Sequence, residues 1–405
     1  MKILFSPCHY VFDEYKRGSE FIWAYKIADY ISIKNTDSVV ITGYKNILSE
    51  KVYRIIEVQK NKNTFDMSII NTIIFALQYF YNTTKILKKE KFDIIHHVLP
   101  FAIGHTFNTN FIFNKKNKLV IGPIQNPLSI CDSDINSSDM MKSKKNISLL
   151  DTITKNIIRF VKPILNFLSY KTLEKANVII VINEYTKNIL TNMGLPENKI
   201  KIIPPGIDVD KFKYIPFKNK SKDRVEILVV CYLLKRKRVD LVIKAIKNLV
   251  NKGESNFILR IIGDGPQKAS LEQLAKDLQL TEFIIFEGLV NNNEVGKYYK
   301  HAHIFINMSE AEGFATICLE AMSSGLAIIS SEVGGFSDAI KHGYNGFLVK
   351  QGDVESLAHY IAELIGNPNL IDTCSKNARL TIEKEYDWQK CIIPKYLHIY
   401  SSLLK

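Results

Sequence analysis

The chain has 405 residues, a formal net charge of +13, 46% hydrophobic and 23% charged residues. That length predicts two domains of about 200 residues each, and the composition excludes extensive disorder. The positive balance admits nucleic acid, an anionic membrane surface or a phosphorylated ligand as partner, or a diffuse charge from abundant lysine. Six cysteines (Cys8, Cys131, Cys231, Cys318, Cys374, Cys391) show no CxxC or metal spacing and read as reduced thiols of a cytoplasmic protein. The opening "MKILFSPCHY" enters a strand pattern at once and lacks the apolar region of a signal peptide. No apolar run approaches the ~18 residues of a membrane span.

"KILFSP" predicts the first strand, and its loop runs to Gly18, at the start of the helix "EFIWAYKIADYIS". Gly18 there is a glycine for ligand approach or a plain cap. Strands follow at "SVVITGY", "VYRIIEV", "FDIIHHV", "KLVIGPI", "NVIIVIN" and "IKIIPPG", with helical stretches between most of them. The amphipathic segment 141–176 mixes lysines with Ile, Leu and Phe, and either packs on its domain or lies on a membrane surface. Proline, glycine and lysine then interrupt the pattern through "IIPPGIDVDKF" and "KNKSKD". Alternation resumes with "VEILVVCY", "FILRIIGDG", "FIIFEGL", "HIFINMS", "LAIISSEV" and "GFLVK", separated by helices such as "VDLVIKAIKNLVNKG". The fold expected is α/β, two doubly wound Rossmann-like domains facing across a cleft. The predicted domains are 1–205 and 206–385, with 386–405 a helix packing back on the first.

Ligands of doubly wound domains bind at the carboxyl ends of strands, so the loops there carry most weight. Gly263 and Gly265 flank Asp264 in a tight turn that permits close backbone approach to a ligand, although such a turn needs no ligand. The richest stretch is "EAEGFATICLE", residues 310–320, between a buried strand and a helix. Glu312 and Glu320 are eight positions apart, about 12 Å at a helical rise of ~1.5 Å per residue. That span reaches from one sugar across a pyrophosphate towards a second. The backbone of Gly313, Phe314, Ala315 and Thr316 offers amides to phosphate, and the carboxylates accept from sugar hydroxyls. Glu312 then holds a transferred hexose and Glu320 a ribose. Acids in a first helical turn are also commonplace.

These residues resemble the retaining glycosyltransferases of family 4, which have the GT-B fold. Glu312 and Glu320 match the family's two glutamates separated by seven residues. "GDGP" at 263–266, "EGL" at 287–289, "S.AEGF" from Ser309, "EAMSSGLAIISSEVGG" from Glu320, "NGFLV" from Asn345 and the closing "YDWQKC....YLHIY" match its flanks. "GSEFIWAYKIA" and "IIHHVLPF" followed by "LVIGPI" resemble one branch in the first domain. The resemblance implies a nucleoside diphosphate sugar as donor and a glycan or lipid-linked acceptor. It also implies no metal cofactor and retention at the anomeric carbon. The family's Arg and Lys, five residues apart, stabilise the leaving diphosphate. Lys237 aligns with that Lys, but Tyr232 stands where the Arg would be. Lys235, Arg236 and Arg238 are then replacements or a solvated basic turn. Ala315 replaces a glycine of the family. His97 is the first-domain candidate for contact with the reacting sugar, ahead of His96, and Gln125 and Asn126 are candidates for acceptor hydroxyls.

Three other readings stay open. Asp132 and Asp134 supply the Asp-x-Asp of a metal-dependent transferase, though in a polar loop. A nucleotide-sugar epimerase shares the architecture but needs acids and bases around the sugar that cannot be assigned. A non-catalytic polyanion-binding module suits the charge, but the lysines do not interleave with aromatic stacking residues, which argues against nucleic acid. The expectation is a cytoplasmic enzyme, or one peripheral to the inner face of the membrane, acting in surface polysaccharide or glycolipid synthesis.

Overall fold

The computed structural model describes residues 1–8, 11–13, 19–34, 37–47, 50–58, 69–98, 117–125, 167, 169–220, 223–314 and 316–405. They form two compact units, Met1–Pro204 with Ile392–Lys405, and Pro205–Cys391.

Unit 1 holds a seven-stranded parallel sheet in the order β5-β3-β1-β6-β7-β8-β9. Its strands are β1 (Ile3–Cys8), β3 (Val39–Thr42), β5 (Arg54–Glu57), β6 (Ile94–Val98), β7 (Lys118–Ile124), β8 (Val178–Val181) and β9 (Ile200–Ile202). A short pair, β2 (Val11–Asp13) and β4 (Tyr44–Asn46), stands apart from it. Helices α1 (Ser19–Lys34), α2 (Ile69–Lys89) and α3 (Glu184–Asn192) alternate with the strands. The seven apolar runs read from the first half of the sequence are these seven strands. They are apolar nearly throughout because helices cover both faces. Leu4 and its register partner Ile95 turn to one face, into a core with Ile41, Ile121 and Ile179. Phe5 and its partner His96 turn to the other, beneath the rings of Tyr396 and Tyr400 on the last helix.

Unit 2 holds six parallel strands in the order β12-β11-β10-β13-β14-β15. They are β10 (Val225–Val230), β11 (Phe257–Ile262), β12 (Ile284–Gly288), β13 (Ile304–Asn307), β14 (Ala327–Ser331) and β15 (Gly346–Val349). The helices are α4 (Val239–Asn251), α5 (Lys268–Asp277), α6 (Asn292–His301), α7 (Thr316–Ser323), α8 (Phe336–Ala339), α9 (Val354–Gly366) and α10 (Pro368–Thr381). In α4, Val239, Val242, Ile243, Ile246 and Leu249 recur at helical spacing and are buried against Ile227, Leu259 and Ile304. Tyr299 of α6 covers the opposite face between Phe212 and Phe305. Two π-helical turns, Ile382–Tyr386 and Trp388–Ile392, lead into α11 (Ile393–Leu404), which belongs to unit 1.

Candidate active site

Strand order in unit 2 reverses between β10 and β13, the switch point at which doubly wound sheets bind ligands. The loops leaving those strands meet there, for the Glu310 amide donates to the Arg236 carbonyl at 2.8 Å. In the first loop, Lys235–Lys237 form a 3-10 turn and Arg238 adopts a left-handed conformation, φ 49°, before α4 begins. The Leu233 amide donates to the Asp264 carbonyl at 2.8 Å, and the Gln267 amide to the Leu233 carbonyl at 3.0 Å. A Cβ on Gly263, φ +140°, would stand 1.8 Å from the Cys231 carbonyl oxygen. The close approach that "GDGP" permits is therefore to the backbone of the neighbouring loop, which the turn buttresses. On Gly265 a Cβ would likewise lie 2.7 Å from the Leu233 oxygen.

The second loop is held from β14. Ser331 Oγ donates to the Ser309 carbonyl at 2.6 Å, and Ser309 Oγ to Asn307 Oδ1 at 2.6 Å. Gly334, φ +48°, lies so close that a Cβ would stand 1.9 Å from the Glu312 carbonyl oxygen. Its neighbour Gly335 donates its amide to Gly313 O at 3.3 Å.

Basic and acidic side chains bridge the loops. The Lys237 ammonium pairs with Glu312 Oε1, and Arg236 Nη1 lies 3.7 Å from the same oxygen. Arg236 Nη1 also donates to the Ala311 carbonyl at 3.1 Å. Arg238 instead grips both oxygens of Asp240, at 3.0 and 3.1 Å, and Glu310 at 2.9 Å. Glu310, without a role in the sequence reading, is thus the partner of Arg238. On that side opens a cavity of about 380 Å³ lined by Lys235, Arg238, Asp240, Gln267 and Glu310 among others, and by neither Lys237 nor Glu312.

Helix α7 begins only at Thr316, so half of the separation between Glu312 and Glu320 lies outside it. The 12 Å helical spacing therefore does not apply to the pair, because the loop held by Gly334 carries Glu312. Glu320 is partly buried, and desolvation pushes its carboxyl up to about 7, opposed by the hydroxyl of Tyr299, which donates at 3.1 Å, and by the charge of Lys211. Neither Tyr299 nor Lys211 was visible as a neighbour from spacing, since α6 and the segment before β10 bring them in through the fold. Phe314 is only 3% exposed and packs on Tyr386, ring centroids 6.0 Å apart. Its side chain is a packing anchor, which leaves only its backbone for a ligand.

In unit 1, His97 is 2% exposed, and burial holds its imidazole down at about 3, with the neighbouring His96 adding to the shift. It is neutral at physiological pH. The Gln125 carbonyl accepts from Thr186 Oγ1 at 2.7 Å. Gly18, Asn126, Ala315, Asp132, Asp134 and most of the 141–176 segment lie outside the described residues. Among the described residues, no three His, Cys, Asp or Glu side chains gather as a metal site, and no helix is long and apolar enough to cross a membrane.

Two family descriptions match: "Glycosyl transferases group 1" over residues 210–381 and "Glycosyltransferase Family 4" over 146–211. The chain is 25% identical over 207 residues to a GDP-mannose-dependent alpha-(1-6)-phosphatidylinositol monomannoside mannosyltransferase of Mycolicibacterium smegmatis, covering 48% of this chain and 54% of that one. Among solved structures it resembles sucrose-phosphate synthase from Thermosynechococcus elongatus, with TM-score 0.72, 17% identity and coverage of 99% and 98%. It also resembles Anabaena HepE in complex with UDP, with TM-score 0.67, 16% identity and coverage of 99% and 100%. The two matches together run over residues 146–381, and with the fold they support a family 4 type of GT-B glycosyltransferase. Its matches span 60 to 64% of the length of the first curated relatives.

Proposed function

We propose that the protein is a retaining glycosyltransferase that moves a sugar from a nucleotide-sugar donor to a hydroxyl of a glycan or lipid-linked acceptor. The observation that carries this reading is the Glu312 carboxylate held beside Lys237 at the switch point of unit 2. An acid that accepts from sugar hydroxyls and a cation that meets phosphate stand there within one ion pair. The named donor of the Mycolicibacterium relative and the UDP of the Anabaena structure support a nucleotide sugar. The lipid-linked acceptor of the former supports a role in glycolipid or surface polysaccharide synthesis.

In the transfer, the bond from the anomeric carbon to the β-phosphate oxygen breaks and one to the acceptor oxygen forms. The acceptor's proton passes to the leaving diphosphate. His97, with its pKa held at about 3, is too weak a base to take it. Lys237 offsets charge growing on the diphosphate, so we propose that no metal is needed.

A panel of nucleotide sugars scored for thermal stabilisation, then for turnover, tests the reading, since a ligand of the native state raises its stability. One donor is expected to stabilise the chain and be consumed, with the anomeric configuration kept in the product. Glu312→Ala and Lys237→Ala should each lower turnover roughly 100-fold with little loss of stability, as removal of a charge-stabilising group does. Epimerised donor, or salt-sensitive polyanion binding untouched by Glu312→Ala, would overturn the transferase in favour of the other readings.

A further inference from the structure

We infer that Arg236 supplies the second cation for the donor's diphosphate, replacing the charge that Tyr232 leaves out; this rests on the transferase reading above. Tyr232 is the second residue after β10, 47% exposed, and its carbonyl accepts from the Leu234 amide at 2.8 Å. Its side chain offers no cation, yet four basic residues follow from Lys235 to Arg238. Their partners separate them. Arg238 faces two acids, Asp240 and Glu310, and Lys244 shares Asp240 at 3.7 Å; with two cations on two acids that cluster has no positive surplus. Lys235 lines the cavity on Arg238's side.

Arg236 and Lys237 converge on one oxygen of Glu312, two cations on one acid, which leaves a surplus positive charge. The backbone of Arg236 is fixed by the Glu310 amide, while its side chain is 42% exposed. The side chain is therefore anchored at its backbone and through Nη1 on the Ala311 carbonyl, yet it stays partly open to solvent. A planar fork of donors suits phosphate oxygens, and it meets them without moving the loop. Charge at this place has been transferred along the turn, from the strand end to the 3-10 turn beside Lys237.

The test measures dissociation constants for inorganic pyrophosphate and for UDP, GDP and ADP by calorimetry. Arg236→Gln should weaken the nucleoside diphosphate bound by the wild type, and pyrophosphate, roughly 10- to 100-fold, the loss of a charged hydrogen-bonding partner. Arg238→Gln and Lys235→Gln should stay within about threefold. Adding Tyr232→Arg to Arg236→Gln should restore most of the loss, which a merely structural role for Arg236 would not allow. Unchanged binding in Arg236→Gln, an equal loss in Arg238→Gln, or no restoration by Tyr232→Arg overturns the assignment. Arg236→Lys, which keeps the charge, guards against misfolding and should lose less than Arg236→Gln; an equal loss also overturns it. A wild type that binds none of the three nucleotides sinks the transferase reading together with this one, whereas normal wild-type binding with an unaffected Arg236→Gln sinks this one alone.

Discussion

Three glutamates within eleven residues have three environments, and only the environment sets what each does. Glu310 is half solvated against Arg238, Glu312 is enclosed with Lys237, and Glu320 is desolvated beneath Tyr299. The last has a consequence for stability. Its carboxyl titrates near 7 in the folded chain against an ordinary value of 4.5. Between those pH values the folded state keeps a proton that the unfolded state has lost, so stability falls as pH rises from about 4.5 to about 7. The loss attributable to this group is up to about 3 kcal/mol. Denaturant unfolding of the wild type and Glu320→Gln across that range should show a slope in the former that is flattened in the latter. Parallel slopes would mean that the proton resides elsewhere.

At the scale of elements, the site depends on a turn whose glycines meet the backbone of Cys231 and Leu233. Gly263→Ala places a methyl group against the Cys231 carbonyl and strains a positive φ, and should cost about 1 to 3 kcal/mol. Because the displaced loop carries Arg236 and Lys237, nucleotide affinity should fall with it. Gly253→Ala also has positive φ, but nothing lies within 4 Å of the added carbon. That variant should lose stability without losing nucleotide affinity, and an equal affinity loss in both would contradict the buttress. The strands themselves were legible because runs such as "VEILVV" and "AIISS" are apolar on both faces, a pattern parallel sheets require. Glu312 and Lys237 were legible because each lies in the loop that leaves such a strand. The partners of Arg236 and Arg238 were not. They stand two residues apart in sequence, and across the 3-10 turn and the left-handed backbone at Arg238 their side chains reach different acids. The purpose of the "GDGP" glycines was hidden for a similar reason, since the atoms they make room for belong to another strand's loop.

At the scale of the molecule, the first unit is finished by the last residues. His96 Nε2 meets the Gly122 carbonyl at 3.0 Å and so carries the proton, which leaves Nδ1 to accept from the Tyr400 hydroxyl at 2.6 Å. Tyr400→Phe deprives that buried nitrogen of its donor and should cost about 1 to 3 kcal/mol. Deleting 393–404 should do much more, uncovering Phe5 and His96 and broadening the unfolding transition of unit 1, as followed by hydrogen exchange at Ile3 to Cys8. Unchanged protection of that strand would show that α11 is dispensable. The arrangement also orders events during synthesis. A ribosome releases all of unit 1's sheet before it begins unit 2, and α11 emerges only after both. Throughout that interval Phe5 and His96 lack the cover of Tyr396 and Tyr400, so the half of the chain that is made first is the half that completes its fold last.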